Sequence, residues 1–439
     1  MKREVLLQHF DKYAPVVEEK TNEGIEKYRK GDFTISAEGK EIKEIKLTQK
    51  THDFKFGCNA FMLESFEAPE KEQIYKEKFA KVFNLAVVPF YWSDLEPEEG
   101  KLRFRKDSEN IYRRPAPDIV LDFCKEYDIE PKGHCLLWNH FLPKWLENYS
   151  VDEKKRLVEK RFKEISKEYA DKIPSFDIIN ESASNYWLGK QLLFEGYDEF
   201  ALEMGEKYFT NNEKIVNETN NAIWQSCLMD KYNPFDAQLK SFVEKGLSFD
   251  NIGIQYHIFA TEESFKNKGY INEYLNPLVH FDILERLNSY GKAMNISEIT
   301  IPSMFETNPE NEAIQAELLE KLYSLWFSIE NMSGIVWWNL VDGYAAHCPR
   351  NTNAGENRHG GGLLHYDMSE KPAYKALDEL VNHRWRTNVT LSAGQNSFRG
   401  FYGKYDAEIV YSDGKTEKKE LHFSKDNKTA VLQKERKLI

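Results

Sequence analysis

Cysteine is scarce in this chain: five among 439 residues, at Cys58, Cys124, Cys135, Cys227 and Cys348, with no Cys-x-x-Cys pair. An odd, scattered set excludes a disulfide framework and predicts a reducing compartment. A basic excess is also missing, because the net charge is −12, and that excludes a phosphate-backbone binder, so no nucleic-acid partner is expected. No run is long and apolar enough to span a bilayer, so no membrane partner is expected either. The first twenty residues, "MKREVLLQHFDKYAPVVEEK", hold no apolar core of a signal peptide. The sequence as it stands therefore predicts a cytoplasmic address. Internal repeats and low-complexity tracts are absent, and nothing bears on oligomeric state.

Short apolar runs are what the chain does have, set between charged stretches of helical spacing. They are "FKFGCNAF" (55–62), "NLAVVPFYW" (84–92), "PKGHCLLW" (131–138), "SFDIINE" (175–181), "KIVNET" (214–219), "NIGIQYHIF" (251–259), "KAMNISEIT" (292–300) and "GIVWWNLVDG" (334–343). The stretch at 151–172, "VDEKKRLVEKRFKEISKEYADK", is typical of what separates them: apolar on one face, charged on the other. Eight strands alternating with helices predict an α/β fold, a (β/α)8 TIM barrel; a doubly wound sheet gives a similar pattern. Three regions follow: an N-terminal helix and β-hairpin extension (1–52), the barrel (53–385) and a small C-terminal β-domain (386–439). The hairpin is read from the alternation and Glu-Gly turn of residues 31–50, and it is expected to pack with the C-terminal domain.

In such a barrel the reactive groups stand at the carboxyl ends of the strands. The runs leave His134, Trp138, Asn139 and His140 there, then Asn180 and Glu181, Asn217 and Glu218, Gln255 and His257, Glu298, and finally Trp337, Trp338, Asn339 and Asp342. Carboxylates, neutral hydrogen-bonding groups and indole faces on one rim are what a sugar site requires. Two glutamates across it suit glycosidic cleavage, one as nucleophile and one as acid. An isolated strand-end glutamate is more often a salt-bridged rim residue. On chemistry alone, Glu181 and Glu218 are equal candidates for the acid.

The segments "GHCLLWNHFLPKW", "FDIINES", "IGIQYHIF", "NISEIT" and "WWNLVDG", followed by "GGLLHYDMSEKPAYKAL", occur in the order seen in glycoside hydrolase family 10, and the stretch from about 53 to 385 resembles that family of retaining β-xylanases. The resemblance implies Glu181 as acid/base and Glu298 as nucleophile, with Glu218 in a supporting role. It also implies that His134, Asn180, Asn217, Gln255 and His257 hold the sugar and the nucleophile, and that Trp138 and Trp338 wall the same subsite. No cofactor and no metal are implied, and the expected partner is an oligosaccharide or polysaccharide.

Two departures stand out. The family's polar segment after strand two is replaced by "VVPFYWSDLEPEEG" (87–100), which puts Phe90, Tyr91 and Trp92 where gripping side chains are expected. Asn139 stands where the family has a second histidine. Short oligosaccharides or an atypical glycan are therefore the expected substrates, and the other reading is a degenerate carbohydrate-binding barrel. His347, Cys348, His359 and His365 match no zinc spacing. Arg350 and Arg358 are read as solvated, or as a clamp for an acidic sugar.

Overall fold

The computed structural model describes residues 1–37, 41–184, 192–224, 233–261, 263–266 and 274–432. Short helices open the chain and lead into a longer one, Ala14–Tyr28, before strands β1 (Lys30–Ala37) and β2 (Ile42–His52). Eight parallel strands follow: β3 (Lys55–Asn59), β4 (Leu85–Pro89), β5 (Glu130–His134), β6 (Ser175–Asn180), β7 (Glu213–Glu218), β8 (Asn251–His257), β9 (Ala293–Thr300) and β10 (Met332–Trp337). They close as β10-β3-β4-β5-β6-β7-β8-β9, so the chain is a (β/α)8 barrel. Every residue of β4, β6 and β8 is buried. That is why these runs read as continuous apolar stretches and not as alternating ones: helices cover one face and the packed barrel interior the other. The helix Val151–Tyr169 shows the helical side of the pattern, turning Val158, Phe162, Ile165 and Tyr169 inward behind a Ser150–Glu153 capping box. Among the described residues no helix is long and apolar enough to cross a membrane.

The remaining strands are β11 (Asn388–Ser392), β12 (Ser397–Phe401), β13 (Gly403–Tyr411), β14 (Thr416–Phe423) and β15 (Thr429–Leu432). They form a three-stranded sheet, β12-β1-β15, and a four-stranded sheet, β11-β2-β13-β14. The expected hairpin is corrected here. β1 and β2 do not pair with each other; β1 runs antiparallel to β12 and parallel to β15, while β2 lies between β11 and β13. The predicted Glu-Gly turn between them falls outside the described residues. Phe33 and Ile35 from one strand and Ile45 and Leu47 from the other meet in a core separate from that of the barrel. Phe33 stacks on Phe423 of the opposite sheet at 4.7 Å. Alternation fixes which face of a strand is buried and says nothing about its neighbour, so two adjacent alternating runs suggest a hairpin even when each belongs to a different layer.

Candidate active site

Glu298, near the end of β9, is 5% exposed and held on both oxygens. Its Oε1 accepts from Asn217 Nδ2 at 2.9 Å and from Gln255 Nε2 at 3.1 Å. Its Oε2 lies 3.1 Å from His257 Nε2, and His134 Nε2 approaches Oε1 to 3.8 Å. Side chains from three strands, β5, β7 and β8, thus surround one carboxylate, and each sits where a strand end reaches the rim. Gly253 makes room for this: a Cβ there would fall 2.4 Å from Asn217 Oδ1. Asn217 Nδ2 also donates to Asn180 Oδ1 at 2.7 Å, which turns the Asn180 amide nitrogen away. That nitrogen is buried with no partner of hydrogen-bonding geometry among the described residues.

Glu181 follows β6 with φ 53°, in the left-handed region, where a non-glycine residue costs about 1–3 kcal/mol. Its Oε1 accepts from Gln255 Nε2 at 3.0 Å, the same nitrogen that donates to Glu298 at 3.1 Å, so the two bonded oxygens are no more than about 6 Å apart. Burial, then the charge of Glu298, raises the Glu181 carboxyl to about 8. Glu218 is fully buried and differently engaged. It accepts from the Ala183 and Thr219 backbone N–H groups at 2.7 and 2.8 Å and from Ser184 Oγ at 2.6 Å. Burial raises it to about 7, yet its oxygens are consumed in tying the chain after β6 to β7.

One layer of this site lies below the predicted residues. His134 Nδ1 meets Asp177 Oδ2 at 2.7 Å, and Asp177 Oδ1 meets Lys132 Nζ at 2.9 Å, all three side chains being buried. Burial opposes ionisation of Asp177, but Lys132 and His134 outweigh it and hold the carboxyl below its ordinary value. The fixed carboxylate then orients the imidazole toward Glu298. The signal was present in the sequence: an aspartate inside "FDII" and a lysine inside "PKGH", each in the middle of a buried strand, must find one another or another partner.

The aromatic candidates separate. Trp338 stands edge-on to His134 and His257, with ring centroids 6.0 and 5.7 Å away. Trp138 lies 5.7 Å from Tyr91. Trp92 is corrected: it is 2% exposed and packs in the barrel core, its Nε1 donating to Glu96 at 2.8 Å and its ring against the Arg161 guanidinium at 5.2 Å. Facing the rim would break that bond and expose the indole, so its neighbour Tyr91 faces the site instead, edge-on to His134 at 5.4 Å. Asn139 is also employed structurally, its Oδ1 accepting from the backbone N–H groups of Leu192 and Leu193 at 3.3 and 3.2 Å. Asp342 is half-buried and pairs with the buried Lys371 at 3.0 Å. Arg350 donates to the Ser65 carbonyl and Arg358 to the Gly355 carbonyl. His359 Nδ1 lies 3.1 Å from the Ala260 carbonyl, His365 beside Glu312, and His347 against the Phe141 ring.

Glycosyl hydrolase family 10 matches residues 46–380. The Arabidopsis thaliana protein "Endo-1,4-beta-xylanase 1" is 24% identical over 81% of this chain, and the "Endo-1,4-beta-xylanase B" of Neocallimastix patriciarum is 24% identical over 54%. The matched part is 34% of the first relative's length and 26% of the second's. Native xylanase 10B from Thermotoga maritima shares the fold, with a TM-score of 0.58 and 21% identity over 76% of this chain and 96% of that one. With the family match running through all eight barrel strands, the chain belongs to glycosyl hydrolase family 10.

Proposed function

We propose that this protein is a retaining glycoside hydrolase acting on β-linked xylose oligosaccharides, with Glu298 as nucleophile and Glu181 as acid/base. The observation that carries the reading is the single Gln255 nitrogen bonded to both carboxylates. It limits their bonded oxygens to a spacing of about 6 Å, near the 5–5.5 Å of double displacement and short of the roughly 6.5–9.5 Å needed to admit a water for inversion. Glu298 is held by donors and is ready to attack the anomeric carbon. Glu181, raised to about 8, carries a proton at neutral pH and gives it to the leaving oxygen. The glycosyl–Glu298 ester forms as the glycosidic bond breaks; water, deprotonated by Glu181, then opens the ester and restores both groups. Asn180, next to Glu181, is assigned the bond to the sugar 2-hydroxyl, a contact that strengthens in the transition state. The xylose assignment rests on the activities named for the relatives.

The test is a panel of aryl β-glycosides (xyloside, xylobioside, glucoside, galactoside, arabinoside), followed by a 2-fluoro-xyloside whose ester forms faster than it is hydrolysed. The expected result is turnover of the xylosides with retained stereochemistry and a trapped adduct on the peptide containing Glu298. An inverted product, or an adduct on another residue, would sink the assignment.

A further inference from the structure

The rim around the two glutamates is uneven. From β10 round through β3 and β4 to β5 it is lined by aromatic rings in contact: Trp338 lies 5.6 Å from Phe61, Phe61 5.9 Å from Tyr91, Tyr91 5.7 Å from Trp138 and 4.6 Å from Phe141. Phe61 and Tyr91 are 1% and 3% exposed. They are a filled wall and offer no free face on which a sugar could lie. The polar groups behind the wall are mostly spent on one another. Asn59 Nδ2 bonds Asn339 Oδ1 at 3.3 Å and the Trp338 carbonyl. Arg113 bonds Asn339 Oδ1 and the Tyr344 carbonyl. Arg114 bonds Asp94 and the Arg113 carbonyl, with its guanidinium 4.4 Å from the Tyr91 ring. A second sugar on this side would have to displace the packed rings to reach the donors left over there, Arg113 Nε and Trp138 Nε1, both of them buried.

Tyr91 itself keeps one polar group in reserve. Its hydroxyl has no hydrogen-bond partner among the described residues, and the ring stands edge-on to His134, which reaches Glu298. Burial raises its phenol; the nearby Arg114 guanidinium opposes this, and the charges of Glu298 and Glu181 add to it. The half of the rim that carries Glu181 differs. Phe259 there is 40% exposed and lies face to face with His257 at 4.6 Å, an open ring along which a leaving chain can run.

Resting on the hydrolase reading above, we infer that the glycone side of this site holds one sugar only, that Tyr91 closes it and bonds the terminal hydroxyl of that sugar, and that the enzyme removes single residues from the non-reducing end. The oligosaccharide extends on the leaving-group side, over Phe259.

The experiment is a time course on β-1,4-xylohexaose labelled at its reducing end, alongside aryl β-xyloside and aryl β-xylobioside. The expected first products are unlabelled xylose and labelled xylopentaose, with the xylobioside turned over no faster than the xyloside. Tyr91→Phe should lower kcat/KM on the aryl xyloside about three- to tenfold without changing the product pattern. Tyr91→Ala, or Phe141→Ala if that variant does not fold, should add unlabelled xylobiose to the first products. Unlabelled xylobiose or longer fragments from the native enzyme at the outset would overturn the one-sugar site and leave the hydrolase intact. Tyr91→Phe at native activity would remove the proposed hydroxyl contact. No cleavage of any of these substrates would overturn the hydrolase reading, and this inference with it.

Discussion

The carboxyl ends of β6 and β7 are written almost alike, "IINES" and "IVNET", and both put an asparagine and then a glutamate at the barrel rim. Both glutamates are raised by burial, to about 8 and about 7. What separates them is what their oxygens touch. Glu218 is satisfied by two backbone N–H groups and a hydroxyl, all from the loops it joins. Glu181 is twisted into the left-handed region and faces Glu298, with Gln255 bonding both. A raised carboxyl is therefore not in itself a sign of catalysis. The functional group is the one whose proton-bearing oxygen is left for something other than protein.

The sharpest way to break the comparison is Glu181→Ala. Loss of the acid should lower kcat about 10²–10⁴-fold on xylo-oligosaccharides. Aryl xylosides with acidic phenol leaving groups should be spared in their first step, because those groups depart without a proton. Values of kcat/KM on the two substrate types, which read the first step, would check this, and equal losses in kcat/KM on both would remove Glu181 from the role of acid. Next comes pH. Glu181 must be protonated in the free enzyme, so kcat/KM should fall as pH rises through about 8, and Glu181→Ala should lack that limb.

Glu218→Gln should do the opposite, leaving kcat within a few-fold while lowering unfolding free energy by about 1–3 kcal/mol, because one backbone N–H would then face an amide nitrogen. Urea melts measure it. The folded protein holds the Glu218 carboxyl above its ordinary 4.5, so the stabilisation is present in full below that value and is lost as pH rises through about 7. The variant should accordingly lose less stability between pH 5 and 8 than the native chain. Ser184→Ala, which removes one of the three donors, is the smallest change expected, about 1 kcal/mol.

Much of this architecture was legible. The eight apolar runs are the eight barrel strands, because parallel strands buried on both faces leave a continuous signature. His134, Asn180, Asn217, Gln255, His257 and Trp338 converge around Glu181 and Glu298 because strand ends on one rim have nowhere else to go. The failures share a cause. Trp92 and Tyr91 are adjacent in the same short segment, and only tertiary contacts, with Glu96 and Arg161 drawing the indole inward, decide which ring faces the mouth. Asn139 looked like a sugar ligand because its backbone partners at Leu192 and Leu193 lie more than fifty residues away. For Lys132 and Asp177 the need for a partner was legible but its identity was not, as pairing across strands is not written in either strand.

The division of β1 and β2 between two sheets also sets an order of assembly. β2 needs β11 and β13 as its neighbours, and the whole barrel lies between them in the chain. At a synthesis rate of roughly 5–20 residues per second, the first strands would wait roughly 15–70 s after leaving the ribosome before their partners emerge. In that interval the apolar faces of Phe33, Ile35, Ile45 and Leu47 have no layer to cover them, and the edges of β2 are open to pairing with other chains. The small domain is thus a clasp that closes only after the last strands are made. A nascent chain truncated before residue 387 carries a complete barrel and an unfastened end.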